Sequence, residues 1–321
     1  MSIWKFEEIS KNIDKKYRLS LGEGGTPLEK IYMNSKELAL FGIREKETYR
    51  VYFKLETHNP NKSFKDRSLA YQISYYKSVG ARKLLISSSG NAAISAASYV
   101  GLAPDVELAI FMSVNANPEK VRKINELAER YPNVVVNYSR KPKSDAMKFS
   151  NYGSYVNLRG SQDRNAVSGF KTISYELASQ IPDADAVFIP CSSGTSTVGI
   201  YEGYRDLERK PPQLHISQSE KICPISKEYD VIFTKSDSSL ADAISDRVAH
   251  RKQEVMSMID ETGGFGWIID DALLEKSVKY LQEKTSFKDL TYNGILSFAA
   301  LMKSMKQKRR FGKPVCIISG I

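Results

Sequence analysis

The sequence predicts an α/β protein built on parallel sheet, and two observations carry that expectation. From about residue 50 onward, short apolar and β-branched runs alternate with stretches of helical periodicity, the order required by parallel strands joined through covering helices. At 321 residues the chain is long enough for two domains of ordinary size, and it contains no Gly/Pro/Ser-rich linker, low-complexity tract or internal repeat. Two halves that pack directly against each other are therefore expected, with the cleft between them as the natural ligand site.

Taken in chain order, strands are expected at 49–55, 83–87, 107–112, 134–137, 186–190, 213–218 and 315–318. Helices are expected at 63–78, 91–100, 118–129, 170–180, 195–207, 239–247, 272–283 and 293–305. Pro60 ends the first extended run, and Ser63 is placed to cap the helix that starts around Phe64. The strand KLLIS hands over through a Gly-containing turn to an Ala-rich helix, and the apolar run AVFIP hands over in the same way to VGIYEGYRDL.

Composition narrows the class. Hydrophobic residues make up 41%, charged residues 26% and aromatic residues 10%, values of a folded globular chain rather than a disordered or fibrous one. The formal net charge of +10 fits an anionic ligand as well as it fits nucleic acid. The densest basic run, KSMKQKRRFGK at 303–313, falls where cations favourably face a helix C-terminus. Cys191, Cys223 and Cys316 are odd in number and lack metal-type spacing, so neither a disulfide framework nor a zinc site is expected. His58, His215 and His250 lie far apart and read as surface or hydrogen-bonded residues. The opening MSIWKFEEIS has no basic segment followed by an apolar core, and no run of 18 apolar residues occurs. A cytoplasmic chain without nucleic-acid, membrane or metal partners is the expectation; a homodimer is compatible with it.

Three polar clusters sit where an expected strand gives way to a helix, the place where open α/β sheets gather ligands. In NPNKSFKDR, Lys65 falls in the first helical turn, beside unpaired backbone N–H groups. A positive field and partial burial there lower an amine's pKa, as a lysine that forms and exchanges a Schiff base requires. In SSSGNAA, Gly90 allows a tight turn while Ser88, Ser89, Asn91 and the helix N–H groups make an anion site sized for a carboxylate. In CSSGTST, small residues let backbone approach a phosphate and hydroxyls add donors. Neither GxxxxGK[ST] nor GxGxxG is present, which argues against nucleoside triphosphates and dinucleotides.

Together these segments resemble the pyridoxal-phosphate enzymes of the tryptophan synthase β-subunit fold (fold type II), and threonine synthase most closely within it. GEGGTPL at 22–28, FKLE at 53–56 followed by Asn59-Pro60 and SFKDR at 63–67, SGN at 89–91, and GFKT at 169–172 with YEL at 175–177 occur in the family's order. The resemblance implies two open, twisted, parallel-rich sheets covered by helices, with the cofactor in the cleft. It further implies a larger domain from 1–52 plus 160–321 that binds the cofactor phosphate, and a smaller one at 53–159 that carries the carboxylate loop.

Carried over by residue, Lys65 would be the Schiff-base lysine and Asn91 would bond the cofactor's phenolic oxygen. Ser192, Ser193, Gly194, Thr195, Ser196 and Thr197 would cradle its phosphate, and Ser319 would face the pyridine nitrogen. A hydroxyl there leaves that nitrogen neutral, which fits elimination and replacement better than transamination. Lys62, Ser88, Ser89, Gly90, Ala92, Asp163 and Lys171 would meet a small, anionic amino-acid substrate. Asp163 stands where threonine synthases often carry Asn, and would repel a substrate phosphate unless Arg159, Arg164 or Lys171 compensates. Lys62 stands where relatives often carry Gly, and Ala92 where many carry Thr. Conversion of O-phosphohomoserine to threonine is the leading expectation. Cysteine synthase-like β-replacement on O-phosphoserine or O-acetylserine, serine or threonine deamination, and a non-catalytic cofactor- or partner-binding protein are the alternatives.

Overall fold

A computed structural model of the protein describes residues 2–244, 246–287 and 290–321. Its strands are β1 (Leu28–Met33), β2 (Tyr49–Leu55), β3 (Lys83–Ser87), β4 (Glu107–Ser113), β5 (Val134–Ser139), β6 (Val156–Asn157), β7 (Ala186–Pro190), β8 (Gln213–Ser219), β9 (Phe265–Ile269) and β10 (Pro314–Ile318). Its helices are α1 (Glu7–Ser10), α2 (Ser35–Leu40), α3 (Lys65–Ser78), α4 (Asn91–Val100), α5 (Pro118–Arg130), α6 (Pro142–Gly153), α7 (Asn165–Gln180), α8 (Thr195–Asp206), α9 (Lys252–Thr262), α10 (Asp271–Lys284) and α11 (Leu296–Lys306). The architecture is the expected α/β one, with two sheets in two compact units.

Unit 1 comprises Met1–Gly25 and Asn59–Thr172. Its sheet runs β5-β4-β3-β6, all parallel. The inner strands β3 and β4 bury all but their terminal residues, which is why the middle of each reads as a continuous apolar run. The edge strand β5 leaves Val135 and Tyr138 half exposed. The N-terminal segment is held to α3: Trp4 stacks on Tyr71 at 5.8 Å, and the Leu19 N–H donates to the Ser74 hydroxyl at 2.9 Å.

Unit 2 comprises Thr26–His58 and Ile173–Ile321. Its six-stranded sheet runs β1-β2-β10-β7-β8-β9, parallel except for the antiparallel β1–β2 pair. The centrally placed β7 and β10 are buried at every residue. Its core packs Phe53, Phe188, Trp267, Phe298, Leu301 and Cys316 among other fully buried side chains. The units divide at 25/26, 58/59 and 172/173, whereas the sequence reading divides at 52/53 and 159/160. The N-terminal segment follows α3, and β2 follows the larger sheet.

Several elements differ from expectation for identifiable reasons. The cap of α3 is Phe64, not Ser63, although the Ser63 hydroxyl accepts from the Lys65 N–H at 3.3 Å. Helix α7 begins five residues earlier than expected because the Asp163 carboxylate accepts from the Asn165 N–H at 2.9 Å. The helix expected over 239–247 is absent among the described residues, Ser245 lying outside them. Backbone N–H groups there bond to distant side chains instead of to carbonyls one turn back: Leu240 to Asp271, Ala243 to Asn293 and Asp246 to Ser192. The unexpected α2 is nucleated by a capping box, Asn34 accepting from Glu37 while Glu37 accepts from Asn34.

Candidate functional site

Lys65 is the first residue of α3 and is half-buried. Its ammonium lies 4.9 Å from the Phe64 ring centroid and 5.7 Å from that of Phe170, rings that pack on each other at 5.0 Å. The amine therefore sits against an aromatic wall rather than in open water. The turn before it is pinned by Asp66, whose carboxylate accepts from the Asn61 N–H at 2.7 Å, the Asn61 amide at 2.8 Å and the Ser95 hydroxyl at 2.7 Å. Burial pushes the Asp66 carboxyl up to about 6, against those hydrogen bonds, which favour the anion. Arg67, fully buried, donates to the Thr172 hydroxyl at 3.0 Å. A Cβ on Gly169 would lie 2.0 Å from the Arg67 carbonyl oxygen, so the Gly of the GFKT motif is what lets α7 touch α3.

Ser88, Ser89, Gly90, Asn91 and Ala92, the residues expected to meet the substrate, are all half-buried and run from the end of β3 into the first turn of α4. Ser89 accepts from the Ser113 N–H at 2.8 Å, tying the loop to the end of the neighbouring strand β4. A Cβ on Gly90 would meet the Lys120 side chain, its Nζ at 3.9 Å. Lys120 therefore brings a cation to this loop, which the sequence reading missed. The available signal was that Lys120 opens the helix after β4, the strand beside β3. Asp163 accepts from the Gln72 amide at 2.6 Å and from the Asn165 N–H, and its carboxylate is engaged in the cap of α7. Lys171 is half-buried on α7, Arg164 exposed, and Lys62 exposed in the turn before Ser63.

In unit 2 the segment 191–197 links β7 to α8. Gly194 has φ +96° and caps α8; a Cβ there would lie 2.4 Å from the Val255 side chain. Thr195, Ser196 and Thr197 are buried in the first turn of α8. The Thr197 hydroxyl is shielded from solvent and makes no hydrogen bond within the protein, and buried polar atoms ordinarily find a partner. A glycine cradle, the N-terminal turn of α8 and the orphaned Thr197 hydroxyl fit a phosphate group. The Ser192 hydroxyl instead donates to Asp246 at 3.2 Å. Gln218, a further residue the sequence reading missed, buttresses the loop by donating to the Cys191 and Ser192 carbonyls, both at 3.3 Å. Ser319, buried, follows β10, which pairs in parallel with β7. The structure thus brings the 192–197 loop and Ser319 to the same edge of one sheet.

The remaining motif residues hold backbone. Glu23 of GEGGTPL is fully buried and accepts from Tyr99 at 2.9 Å, the Leu21 N–H at 3.0 Å and Ser2 at 2.8 Å. In unit 2, Lys54 of FKLE donates to Glu176 of YEL at 2.6 Å and to the Thr26 carbonyl at 2.6 Å, while Thr26 donates to Glu56 at 2.7 Å. A buried ion pair with these added hydrogen bonds costs several kcal/mol if one partner is removed, so the motifs mark fold as much as chemistry.

Other features stand apart. A surface cavity of about 550 Å³, lined by Val114, Pro118, Val121, Arg122, Asn125 and Tyr138, contains none of the motif residues, and its polar groups satisfy one another through Arg122–Glu126 and Asn125–Tyr138. His58 and His250 are exposed and His215 is buried. Among the described residues no cluster of three or more His, Cys, Asp or Glu is arranged to hold a metal, and no helix is long and apolar enough to cross a membrane.

Two α/β units with polar loops at strand ends and a lysine opening a helix define a fold type II pyridoxal-phosphate enzyme, and the chain belongs to the pyridoxal-phosphate dependent enzyme family, which it matches over residues 19–320. It is 24% identical to threonine synthase of Methanocaldococcus jannaschii over 296 residues, covering 88% of this chain and 71% of that enzyme. It is 22% identical to threonine synthase of Halalkalibacterium halodurans, covering 100% of this chain and 90% of that enzyme. Its fold is similar to that of maize serine racemase, with a TM-score of 0.76 at 19% identity over 98% of this chain and 92% of that one.

Proposed function

We propose that the protein is a threonine synthase-like enzyme that converts O-phosphohomoserine and water to threonine and inorganic phosphate. Pyridoxal phosphate, when bound, supplies an electron sink for carbanionic chemistry at the substrate's Cα. In this reading Lys65 Nζ carries the cofactor and, once released by the incoming amino acid, moves the Cα proton. Gly194 and Thr195 to Thr197 hold the cofactor phosphate, with Ser192 and Ser193 bracing that loop; Asn91 and Ser319 orient the ring. Ser88 to Ala92 bind the substrate carboxylate, and Lys171 adds positive charge on α7.

The observation that carries the choice of substrate is the engagement of Asp163. Its carboxylate accepts from Gln72 and from the Asn165 N–H, which supports a structural role at the start of α7 in place of one facing a substrate phosphate. The sequence relatives support the same reading. The test is to supply O-phosphohomoserine to the cofactor-loaded protein and measure phosphate and amino-acid products. Threonine and phosphate in equal amounts are expected. Asp163→Asn should change turnover little, because Asn caps a helix about as well as Asp. Formation of 2-oxobutanoate instead of threonine would replace this reading by deamination, and turnover of O-acetylserine alone would replace it by β-replacement.

A further inference from the structure

Lys62 adopts φ +60°, a left-handed backbone that non-glycine residues rarely take. Its conformation is imposed from both sides. The Lys62 N–H closes a turn onto the Asn59 carbonyl at 2.8 Å, and the Asn59 side chain accepts from the Gly24 N–H at 2.9 Å. Asn61 is fixed by Asp66 and accepts from the Ser98 hydroxyl at 2.8 Å, while Ser63 and Phe64 are buried. Glycine would fit this position without steric cost, and a lysine there costs about 1 kcal/mol. The side chain returns nothing to the fold: it is exposed, and its ammonium makes no hydrogen bond or ion pair with any described residue. An exposed, unengaged cation held in a strained backbone three positions before Lys65 is available to a ligand at that end of α3.

We propose that Lys62 is a specificity-determining residue that binds a second anionic group, of the phosphate type, on the amino-acid substrate. This rests on the reading above only in taking Lys65 to mark the reacting end of the substrate. A flexible ammonium suits a dianionic phosphate as a point charge.

The test titrates the cofactor-loaded protein with 2-amino-5-phosphonopentanoate and with norvaline, which has the same carbon chain without the phosphonate, following the cofactor's absorption. Wild type should favour the phosphonate. Lys62→Gly and Lys62→Asn should weaken phosphonate binding about tenfold and leave norvaline unchanged, and Lys62→Arg should retain the preference. Lys62→Gly should also unfold at higher temperature than wild type, a sign opposite to that of a residue kept for structure. Equal phosphonate-to-norvaline ratios in wild type and Lys62→Gly, or a wild type without preference, would overturn the inference. Failure to form threonine from O-phosphohomoserine, with the Lys62-dependent preference intact, would count against the proposed reaction alone.

Discussion

Lys65, Asn91 and Thr195 are each the first residue of a helix, where backbone N–H groups lack intrahelical partners and negative charge is favoured. That is a local property, and it was readable from short motifs. His215 shows the opposite case, a titratable residue whose surroundings are all non-local. It is fully buried on β8, stacks on Phe188 at 4.5 Å and accepts at Nδ1 from the Trp267 indole at 3.2 Å. Burial lowers its pKa to about 3. Since the unfolded chain takes up that proton near pH 6.5 and the folded chain only near 3, the stability it contributes is full above 6.5 and is lost as pH falls toward 3. Asp66, raised to about 6, works in the other direction, its contribution being lost as pH rises from about 4 to 6. A His215→Phe variant isolates the first effect. Between pH 7 and pH 5 wild type should lose about 2 kcal/mol more unfolding free energy than this variant, read from urea midpoints at the two pH values. Parallel losses would show that His215 does not titrate this way.

At the scale of elements, the strands expected at 49–55, 83–87 and 186–190 coincide with β2, β3 and β7. β3 and β7 carry short continuous apolar runs, and β2 alternates Val51, Phe53 and Leu55 on its buried face. Strand β1, LEKIYM, alternates buried and exposed residues on an edge and keeps two charges, so its pattern was weaker; β9 contains Gly266, which lowers strand propensity. Polar anchors made across 122 residues, as in Lys54–Glu176, have no local signature, and the same holds for Lys120 beside Gly90 and for Gln218 bonded to the Cys191 and Ser192 carbonyls. The closest approach of two elements in unit 1 is testable. Gly169→Ala would place a methyl 2.0 Å from the Arg67 carbonyl, whereas Gly160→Ala would meet only Ala166 at 3.6 Å. Gly169→Ala should cost about 3 kcal/mol and Gly160→Ala less than about 1, measured by denaturant unfolding. Equal stabilities would mean that α3 and α7 are not held this closely.

For the whole molecule, the motif residues divide between the two units. Lys65 and the 88–92 segment belong to unit 1, the 192–197 segment and Ser319 to unit 2. Family membership rests on a match that runs through both. In the proposed reaction one lysine, Lys65, carries the cofactor, by virtue of its place at the start of α3. The direct measurement is to reduce the cofactor-loaded protein with borohydride, digest it and locate the pyridoxyl group by mass spectrometry. A single modified peptide is expected, with the group on Lys65 and lost in Lys65→Ala; a group on Lys62, Lys171 or any other lysine would overturn the assignment.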